Sequence, residues 1–265
     1  MTEITIRIIQ AEDREAVVSL WHDVFGDDKE YIRDFLNLLS TCGYTAAAFC
    51  GEELCSMTTV IRDLSMETES CSYLYAVATR EGYRSQQLAS RVLDFCVKKE
   101  QKDGRLVFTA PAEDGLFAWY DRTIGAKHIV SCSKKHAGYL PEAPLLSIEK
   151  IDAVSYGSLR EQILNNYPHI AAGQDYLRLT DCLCSYYGGG LYRIGASIAA
   201  VYPEGDTLRC QELLPGPDKE EDVVQTLLHT FRVRSIDYRT IGTGTDYIAA
   251  VSPFPRSDWF GLILD

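Results

Sequence analysis

The stretch that most constrains the fold is "YLYAVATREGYRSQQLASRVLDFCVKK", residues 73–99, which is soon followed by "RLVFTA". An apolar run, a polar turn and apolar residues at helical spacing predict a strand, a turn, a helix and a second strand. Two strands joined through a helix lie parallel in one sheet. The preceding stretch predicts an antiparallel hairpin turned at residues 51–53. Because the chain contains both connections, we predict an α/β fold of the α+β kind with a mixed sheet.

Hydrophobic periodicity also predicts how the chain is divided. The first half follows the order β-α-α-β-β-β-α-β-α-β, and a looser segment with two prolines marks a boundary near residue 145. The second half again has a hairpin, a strand, a helix and a strand, and it ends in two predicted strands, "DYIAAV" and "WFGLILD". We therefore predict two lobes, residues 1–140 and 148–265, related by internal duplication.

Composition narrows the classes of partner. The formal net charge of −12 disfavours binding to nucleic acid or to an anionic membrane surface. No apolar run reaches the roughly 18 residues of a membrane span, and the N-terminal stretch has no apolar core of signal-peptide length. The nine cysteines contain no CxxC pair, and the five histidines lie far apart. We expect a cytoplasmic protein with reduced cysteines and no metal, nucleic acid or membrane partner.

Two arginines stand at the turn between the strand and the helix of residues 73–99. Unsatisfied N–H groups and a partial positive charge at a helix N-terminus both favour an anion, and Arg80 and Arg84 would add charge. The turn lacks the Gly-Lys-Ser/Thr of a P-loop and the GxGxxG of a dinucleotide fold. The residues alone leave two interpretations open, an anion-binding turn or an ordinary turn with exposed arginines.

The segment "RSQQLA", Arg84 to Ala89, resembles the acyl-coenzyme-A motif of the GNAT N-acetyltransferase superfamily, Arg/Gln-x-x-Gly-x-Gly/Ala. The leading arginine and the final small residue match, whereas Gln87 stands where the motif has its central glycine. The element order of residues 1–140 is similar to the family domain. The resemblance therefore implies a GNAT fold, followed by a second, degenerate GNAT-like lobe.

This resemblance also implies how acetyl-CoA, the expected co-substrate, would be held. The pyrophosphate would rest on the N–H groups of residues 85–89 with Arg84 adding charge, and the pantetheine would pair with the strand at residues 75–78 like an added strand. The expected cofactor-binding residues are Tyr75, Ala76, Val77, Ala78, Arg84, Ser85, Gln86, Gln87, Leu88 and Ala89.

The family usually protonates the leaving thiolate with a tyrosine on the helix after the fifth strand. The similar segment here is "PAEDGLFAWYDRTIGAKHI", which implies Tyr120 for that role. Gly125 follows one residue later than in the family pattern, so either a harmless bulge or a register shift that turns Tyr120 away is expected. Glu113 and Asp114 are candidate bases or simple helix caps. The two-lobed enhanced-intracellular-survival-type branch uses a terminal carboxylate as base, which suggests Asp265, although this chain has no room for that branch's third domain.

The second lobe has a different strand-to-helix junction, "ELLPGPDKEEDVV". Acidic residues replace the arginines, and the two prolines lack N–H groups. We therefore expect this lobe to form a wall of the acceptor cleft, facing the helices of residues 12–39, and not to bind a second coenzyme A.

The leading hypothesis is an N-acetyltransferase that moves an acetyl group directly from acetyl-CoA to a primary amine of a small molecule or peptide. The alternative is a non-catalytic acyl-CoA-binding or regulatory module, since Gln87 and the displaced Gly125 depart from the family pattern. A third hypothesis is a structural or interaction protein that has lost both activities. Pairing into a homo-oligomer, the identity of the acceptor and the length of the acyl chain are left open.

Overall fold

The computed structural model describes residues 3–251, 253–254 and 259–264, without the side chains of residues 128 and 129. The chain divides into two compact units. Unit 1 runs from the first strand to Ile129 and takes in a returning segment that begins at Ile248. Unit 2 runs from Val130 to Tyr247 and takes in the C-terminal segment.

Unit 1 has the predicted order of helices and strands. Strands β1 to β4 pair antiparallel in sequence order, β4 and β5 pair parallel, and β5 pairs antiparallel with Ala249 and Ala250 of a later strand. Its elements are β1 (Ile4–Ile8), α1 (Arg14–Phe25), α2 (Lys29–Cys42), β2 (Gly43–Cys50), β3 (Glu53–Met66), β4 (Glu69–Thr79), α3 (Leu88–Lys102), β5 (Leu106–Thr109), α4 (Asp114–Ile124) and β6 (Ala126–Gly138), the last of which continues into unit 2.

The helices of unit 1 cover its sheet with apolar side chains. The inward stripe of α3, which includes Leu88 and Val92, packs with Val60 and Leu74 of the sheet in one buried cluster. Trp21 on α1 contacts Tyr75 on β4 edge to face, with 5.5 Å between ring centroids. Burial of the apolar stripe at a spacing of three to four residues is what holds each helix on the sheet.

A buried carboxylate ties α3 to three strands. Glu100 is fully buried and accepts hydrogen bonds from Tyr44 (2.7 Å), Ser72 (2.7 Å) and Arg62 (2.7 and 2.9 Å). Arg105 lies 3.5 Å from the same carboxylate. Burial acts to raise the pKa of Glu100, but the hydrogen bonds outweigh it and leave that pKa below its ordinary value.

Unit 2, like unit 1, has strands with a mixed pairing pattern. Its strands β7, β9, β10 and β11 pair antiparallel in that order, and β11 pairs parallel with β12. Its further elements are β7 (Ile148–Lys150), α5 (Ala153–Leu164), β8 (Ile170–Ala172), α6 (Gln174–Tyr186), β9 (Gly190–Ile194), β10 (Ser197–Glu204), β11 (Thr207–Leu214), α7 (Glu220–Phe231) and β12 (Ser235–Val251), whose end belongs to unit 1.

The two units repeat one arrangement, as the sequence predicts. In each, an antiparallel strand pair leads through a helix to a strand parallel to the second, namely β3-β4-α3-β5 in unit 1 and β10-β11-α7-β12 in unit 2. Both second strands carry an irregularity in their antiparallel pairing, at residues 76–77 of β4 and at Gln211 of β11. The predicted mixed α/β fold with a second, similar lobe is confirmed.

Two sequence predictions need correction. The segment "WFGLILD" was expected as a strand, but only Trp259 forms a bridge, and residues 260–264 are irregular although buried. Side-chain bonds hold the segment instead: Trp259 donates to Glu212 (2.7 Å), and Tyr176 donates to the Leu262 carbonyl. A run of apolar residues indicates that a segment is buried, but a buried segment need not be paired as a strand. The helix expected from Ser85 begins three residues later, at Leu88.

Candidate functional site

The strands β4 and β5 separate at one point in unit 1. Their parallel pairing runs from Cys71 with Leu106 to Leu74 with Thr109, where β5 ends and β4 continues to Thr79. The backbone of residues 75–79 therefore has no ladder partner on the β5 side among the described residues. An extended ligand with amide groups could pair with this edge as an added strand.

A β-bulge lies in the same stretch of β4. Met57 pairs with Ala78 and Thr59 with Tyr75, so two residues of β4 face a single residue of β3. Ala76, one of the two, has φ = 50°, in the left-handed region that few residues other than glycine occupy. Bulges bend a strand and redirect its backbone groups, and they occur often beside functional sites. The expected pantetheine-binding residues 75–78 thus lie at the bend and at the unpaired edge.

The turn after β4 exposes backbone at the start of α3. Residues 84–87 are exposed, whereas Leu88 is buried and anchors the helix. The first helical hydrogen bond is from the Arg91 N–H to the Gln87 carbonyl (3.1 Å), and the N–H groups of residues 85–89 donate to none of the described residues. Ser85 and Gln87 have φ values of 64° and 59°. Gln87 therefore has the backbone conformation that glycine adopts most easily, at the position where the motif has glycine.

The two arginines of the turn have different surroundings. The Nε of Arg80 lies 3.4 Å from both the Glu53 carboxylate and the Leu54 carbonyl oxygen, and its guanidinium lies 4.0 Å from Asp23. Arg84 is exposed, and its Nε contacts the Thr79 carbonyl at 3.4 Å. Its charge is not balanced by any carboxylate in the described part of the chain. Of the two arginines, Arg84 is the one whose charge is available to a bound anion.

Tyr120 lies beside the point where the two strands separate. It is 6 % exposed and belongs to the core cluster of α3, and its phenol lies close enough to Thr109 for that residue to affect its pKa. The Thr109 hydroxyl in turn donates to the Leu74 carbonyl (3.0 Å), at the last paired residues of β4 and β5. Burial raises the pKa of Tyr120, and the contact with Thr109 opposes only part of that shift. Tyr120 is therefore protonated at neutral pH and can donate a proton.

Gly125 leaves the register of α4 intact. It ends α4 in the left-handed conformation, with φ = 70°, and its N–H bonds the Asp121 carbonyl (2.9 Å). Tyr120 remains on the buried face of the helix, so the later glycine does not turn it outward. Glu113 is the N-cap residue of α4, but its side chain accepts no capping hydrogen bond among the described residues. Asp265, the other predicted catalytic residue, lies outside the described residues.

Comparison with solved structures gives matches that cover nearly the whole chain. A GCN5-related N-acetyltransferase from Anabaena variabilis ATCC 29413 has a TM-score of 0.70 and 10% identity over 94% of this chain and 72% of its own. Another from Kribbella flavida has 0.68 and 9%, over 93% and 70%. Eis1 from Mycobacterium abscessus has 0.57 and 13%, over 89% and 65%. The chain has the GNAT fold. No protein-family model and no curated protein sequence matches it.

The second GNAT-like unit differs at the junction of β11 and α7. There Asp218 accepts hydrogen bonds from the Ala196 N–H (2.8 Å) and the Ser197 hydroxyl (2.9 Å), and that hydroxyl accepts from the Gly216 N–H (3.0 Å). The first turn of α7 is acidic. The junction therefore carries its own carboxylate and repels a second anion.

Sequence reasoning missed Thr109, which links Tyr120 to the separated strands of this GNAT fold. The sequence did hold one indication of Thr109. It is the last residue of β5, and ligands of α/β sheets bind at the carboxyl ends of parallel strands. In the described part of the chain, no group of three or more His, Cys, Asp and Glu side chains is arranged to hold a metal. Among the described residues, no helix is long and apolar enough to cross a membrane.

Proposed function

We propose that the protein is an acetyl-CoA-dependent N-acetyltransferase that acts on a primary amine. The observation that carries the proposal is the conjunction, in unit 1, of the bulged and unpaired end of β4 with the exposed N–H groups of residues 85–89. The strand offers amide pairing to a pantetheine arm, and the turn offers donors and the Arg84 charge to a pyrophosphate. The GNAT fold supports the proposal, because nearly the whole chain matches proteins named as N-acetyltransferases.

Acetyl-CoA would supply an activated acetyl thioester. In direct transfer the amine nitrogen bonds to the acetyl carbon and loses a proton to solvent, the carbon–sulfur bond breaks, and the sulfur takes up a proton from a donor that solvent then reprotonates. Tyr120 is the proposed donor of that proton, because its phenol is protonated at neutral pH and lies beside the separation of β4 and β5. Thr109 would orient the phenol through its own bond to the Leu74 carbonyl.

Ligand binding is tested by a thermal-shift titration with coenzyme A and acetyl-CoA on the wild type and on Arg84→Glu. A ligand that binds only the folded chain raises the melting temperature as it saturates the site. We expect both ligands to stabilise the wild type and to leave Arg84→Glu unaffected. Arg178→Glu, an equal charge reversal at an exposed side chain of α6, is the matched control and should respond like the wild type. Equal responses of the wild type and Arg84→Glu would reject this turn as the binding site.

Turnover is tested separately, by release of free coenzyme A thiol in a panel of primary amines. A non-catalytic acyl-CoA-binding module is the second candidate, and the left-handed Gln87 favours it because a side chain stands where the motif has glycine. Binding with no release across the panel, by the wild type and by Tyr120→Phe alike, would support the module. Release that depends on both Tyr120 and an amine would support the enzyme.

A further inference from the structure

The hairpin of β2 and β3 carries two cysteines on the same side of unit 1. All nine cysteines of the chain are reduced, and Cys50 and Cys182 are partly exposed whereas the other seven are buried. Cys55 is one of the seven and belongs to the core cluster of α3. Cys50 packs against the same cluster from the end of β2. The hairpin therefore combines a thiol that solvent reaches with one that is shielded.

An irregularity in the hairpin brings these two cysteines closer together. Cys50 is the last residue of β2 and closes the hairpin opposite Glu53. The ladder then shifts between Ala48 and Phe49 of β2, and Cys55 is the extra residue of β3 at that shift. A bulge fits two residues of one strand into the length of one residue on the other. Cys55 thus lies nearer to Cys50 than a residue two positions along a regular strand would.

The Cys55 thiol is close enough to Cys50 to be affected by it. Burial raises the pKa of Cys55 to about 11, and Cys50 is the next-largest cause of that rise. A thiol with a raised pKa reacts slowly, because the thiolate is the nucleophile. An oxidant should therefore react first with the partly exposed Cys50, and Cys55 should complete a disulfide in a slower second step.

The same part of the hairpin supports the turn of the proposed acetyl-CoA site. The Arg80 N–H donates to the Cys55 carbonyl at 2.9 Å, and the Arg80 Nε contacts the Leu54 carbonyl oxygen at 3.4 Å. The Tyr83 hydroxyl donates to the Glu53 carboxylate at 2.7 Å. Because the exposed N–H groups follow directly in the chain, a shift of Cys55 toward β2 would move the support on which they rest.

We propose that Cys50 and Cys55 form a reversible disulfide that weakens the binding of acetyl-CoA. This inference rests on the proposed function, because it names a regulation of that same site. The oxidant is a low-molecular-weight disulfide. The Cys50 thiolate attacks one of its sulfurs and releases one thiolate, and the Cys55 thiolate then attacks the Cys50 sulfur and releases the second. Two protein thiols are oxidised, one small disulfide is reduced to two thiols, and the protons pass through solvent to the released thiolates.

Closing the disulfide would draw Cys55 away from its present contacts. Its Sγ lies 3.1 Å from the Glu53 carbonyl oxygen, whereas a disulfide requires the two Cβ atoms to lie about 3.5–4.5 Å apart. The Cys55 carbonyl would move with the side chain and weaken its bond to the Arg80 N–H. We expect the affinity for acetyl-CoA to fall about fivefold, the effect of losing one neutral hydrogen bond.

The oxidant used in the test is glutathione disulfide, incubated with the full chain and then removed. A protease that cuts after Glu52 and Glu53 separates the two cysteines, so they stay in one product only where a disulfide joins them. We expect a joined product in the wild type and its loss after reduction with dithiothreitol. The variant Cys50→Ser should give no joined product.

A second pair of cysteines in the chain is the matched control. Cys182 is partly exposed and Cys184 is buried, but they stand two residues apart on α6. Side chains at that spacing do not face each other on a helix, so we expect no disulfide between them. Cys182→Ser should therefore respond to glutathione disulfide like the wild type.

Binding is measured by thermal-shift titration of the reduced and the oxidised forms. Acetyl-CoA is the ligand, because coenzyme A carries a thiol that would reduce the disulfide. We expect oxidation to lower the apparent affinity about fivefold in the wild type and in Cys182→Ser. Oxidation should leave the affinity of Cys50→Ser unchanged.

The proposal is overturned if the folded wild type gives no joined product, if Cys182 and Cys184 join as readily, or if oxidised and reduced wild type bind acetyl-CoA equally. Failure of the proposed function is distinguishable, because the reduced wild type would then not respond to acetyl-CoA at all. The regulatory part of the proposal would fail with it, while the joined product would still report whether Cys50 and Cys55 pair. Circular dichroism of each form checks that it is folded.

Discussion

Replacing Gln87 with glycine should stabilise the protein. Gln87 is exposed, makes no capping side-chain bond and has φ = 59°. The left-handed conformation costs a residue with a Cβ about 1–2 kcal/mol, and glycine avoids that cost while losing about 0.5–1 kcal/mol through its freer unfolded chain. We expect Gln87→Gly to raise the free energy of unfolding by about 0.5–1 kcal/mol, which corresponds to a rise in melting temperature of roughly 1–4 °C.

The neighbouring residue supplies a control of opposite sign. Gln86 is equally exposed but does not have positive φ. Gln86→Gly should therefore lower the free energy of unfolding by about 0.5–1 kcal/mol. Urea denaturation of both variants beside the wild type measures the difference. If the two glycine variants lose stability to the same extent, the left-handed strain assigned to Gln87 is absent and the argument fails.

Three further substitutions test other parts of unit 1. Glu100→Gln should lower the free energy of unfolding by about 2–4 kcal/mol, a range that allows for the partial exposure of Arg62. Folding lowers the pKa of Glu100, so the stability that its ionised form contributes should be lost as the pH falls from about 4.3, the carboxyl pKa of the unfolded chain, through the lower pKa of the folded chain. Urea denaturation at several pH values should show this loss in the wild type and not in Glu100→Gln. Tyr120→Phe should reduce kcat about 10²–10⁴-fold and leave coenzyme A binding unchanged, and an undiminished kcat would refute the proton role. Gly43→Ala would bring a Cβ to 2.1 Å from a backbone carbonyl of β3 and should cost about 2–3 kcal/mol in thermal or urea unfolding, whereas Gly82→Ala, which meets no atom within 4 Å, should be nearly neutral.

The order of helices and strands was predictable because it depends on local patterns. The helix α3 has its apolar residues at helical spacing and buries them as that spacing predicts. The parallel pairing of β4 and β5 follows from the helix between them. Tyr120 was singled out differently, by the resemblance of a short segment to the family pattern, and its catalytic role stays a prediction.

The features that shape the site were not predictable, because they depend on residues far apart in sequence. The bulge at Ala76 is set by the register of β4 against β3, which no local pattern of β4 encodes. The later start of α3 at Leu88 follows from the left-handed Gln87, where the sequence alone shows only polar residues. Glu100 lies in the charged run "KKEQK" and looks solvated, yet the fold buries it beneath Arg62.

The two units share a fold but differ in what their junctions can bind, and this difference gives a last prediction. The turn of unit 1 has Arg84 and N–H groups that donate to none of the described residues, whereas the junction of unit 2 has two prolines and the Asp218 carboxylate already bonded to Ala196 and Ser197. Like charges in the first turn of α7 would further oppose a pyrophosphate.

Each chain should therefore bind one coenzyme A. Isothermal titration calorimetry of the wild type should give a stoichiometry of about one, as expected for a single competent junction, and Arg84→Glu should abolish the heat of binding. A stoichiometry of two would show that the acidic junction of unit 2 also binds the ligand. Residual binding of one equivalent in Arg84→Glu would place the ligand elsewhere. In unit 2, too, β11 has an irregularity at Gln211 and continues beyond the end of its pairing with β12 at Cys210 and Tyr238. A single site would therefore mean that the charge and the N–H donors of the junction, more than the shape of the sheet, decide where the nucleotide binds.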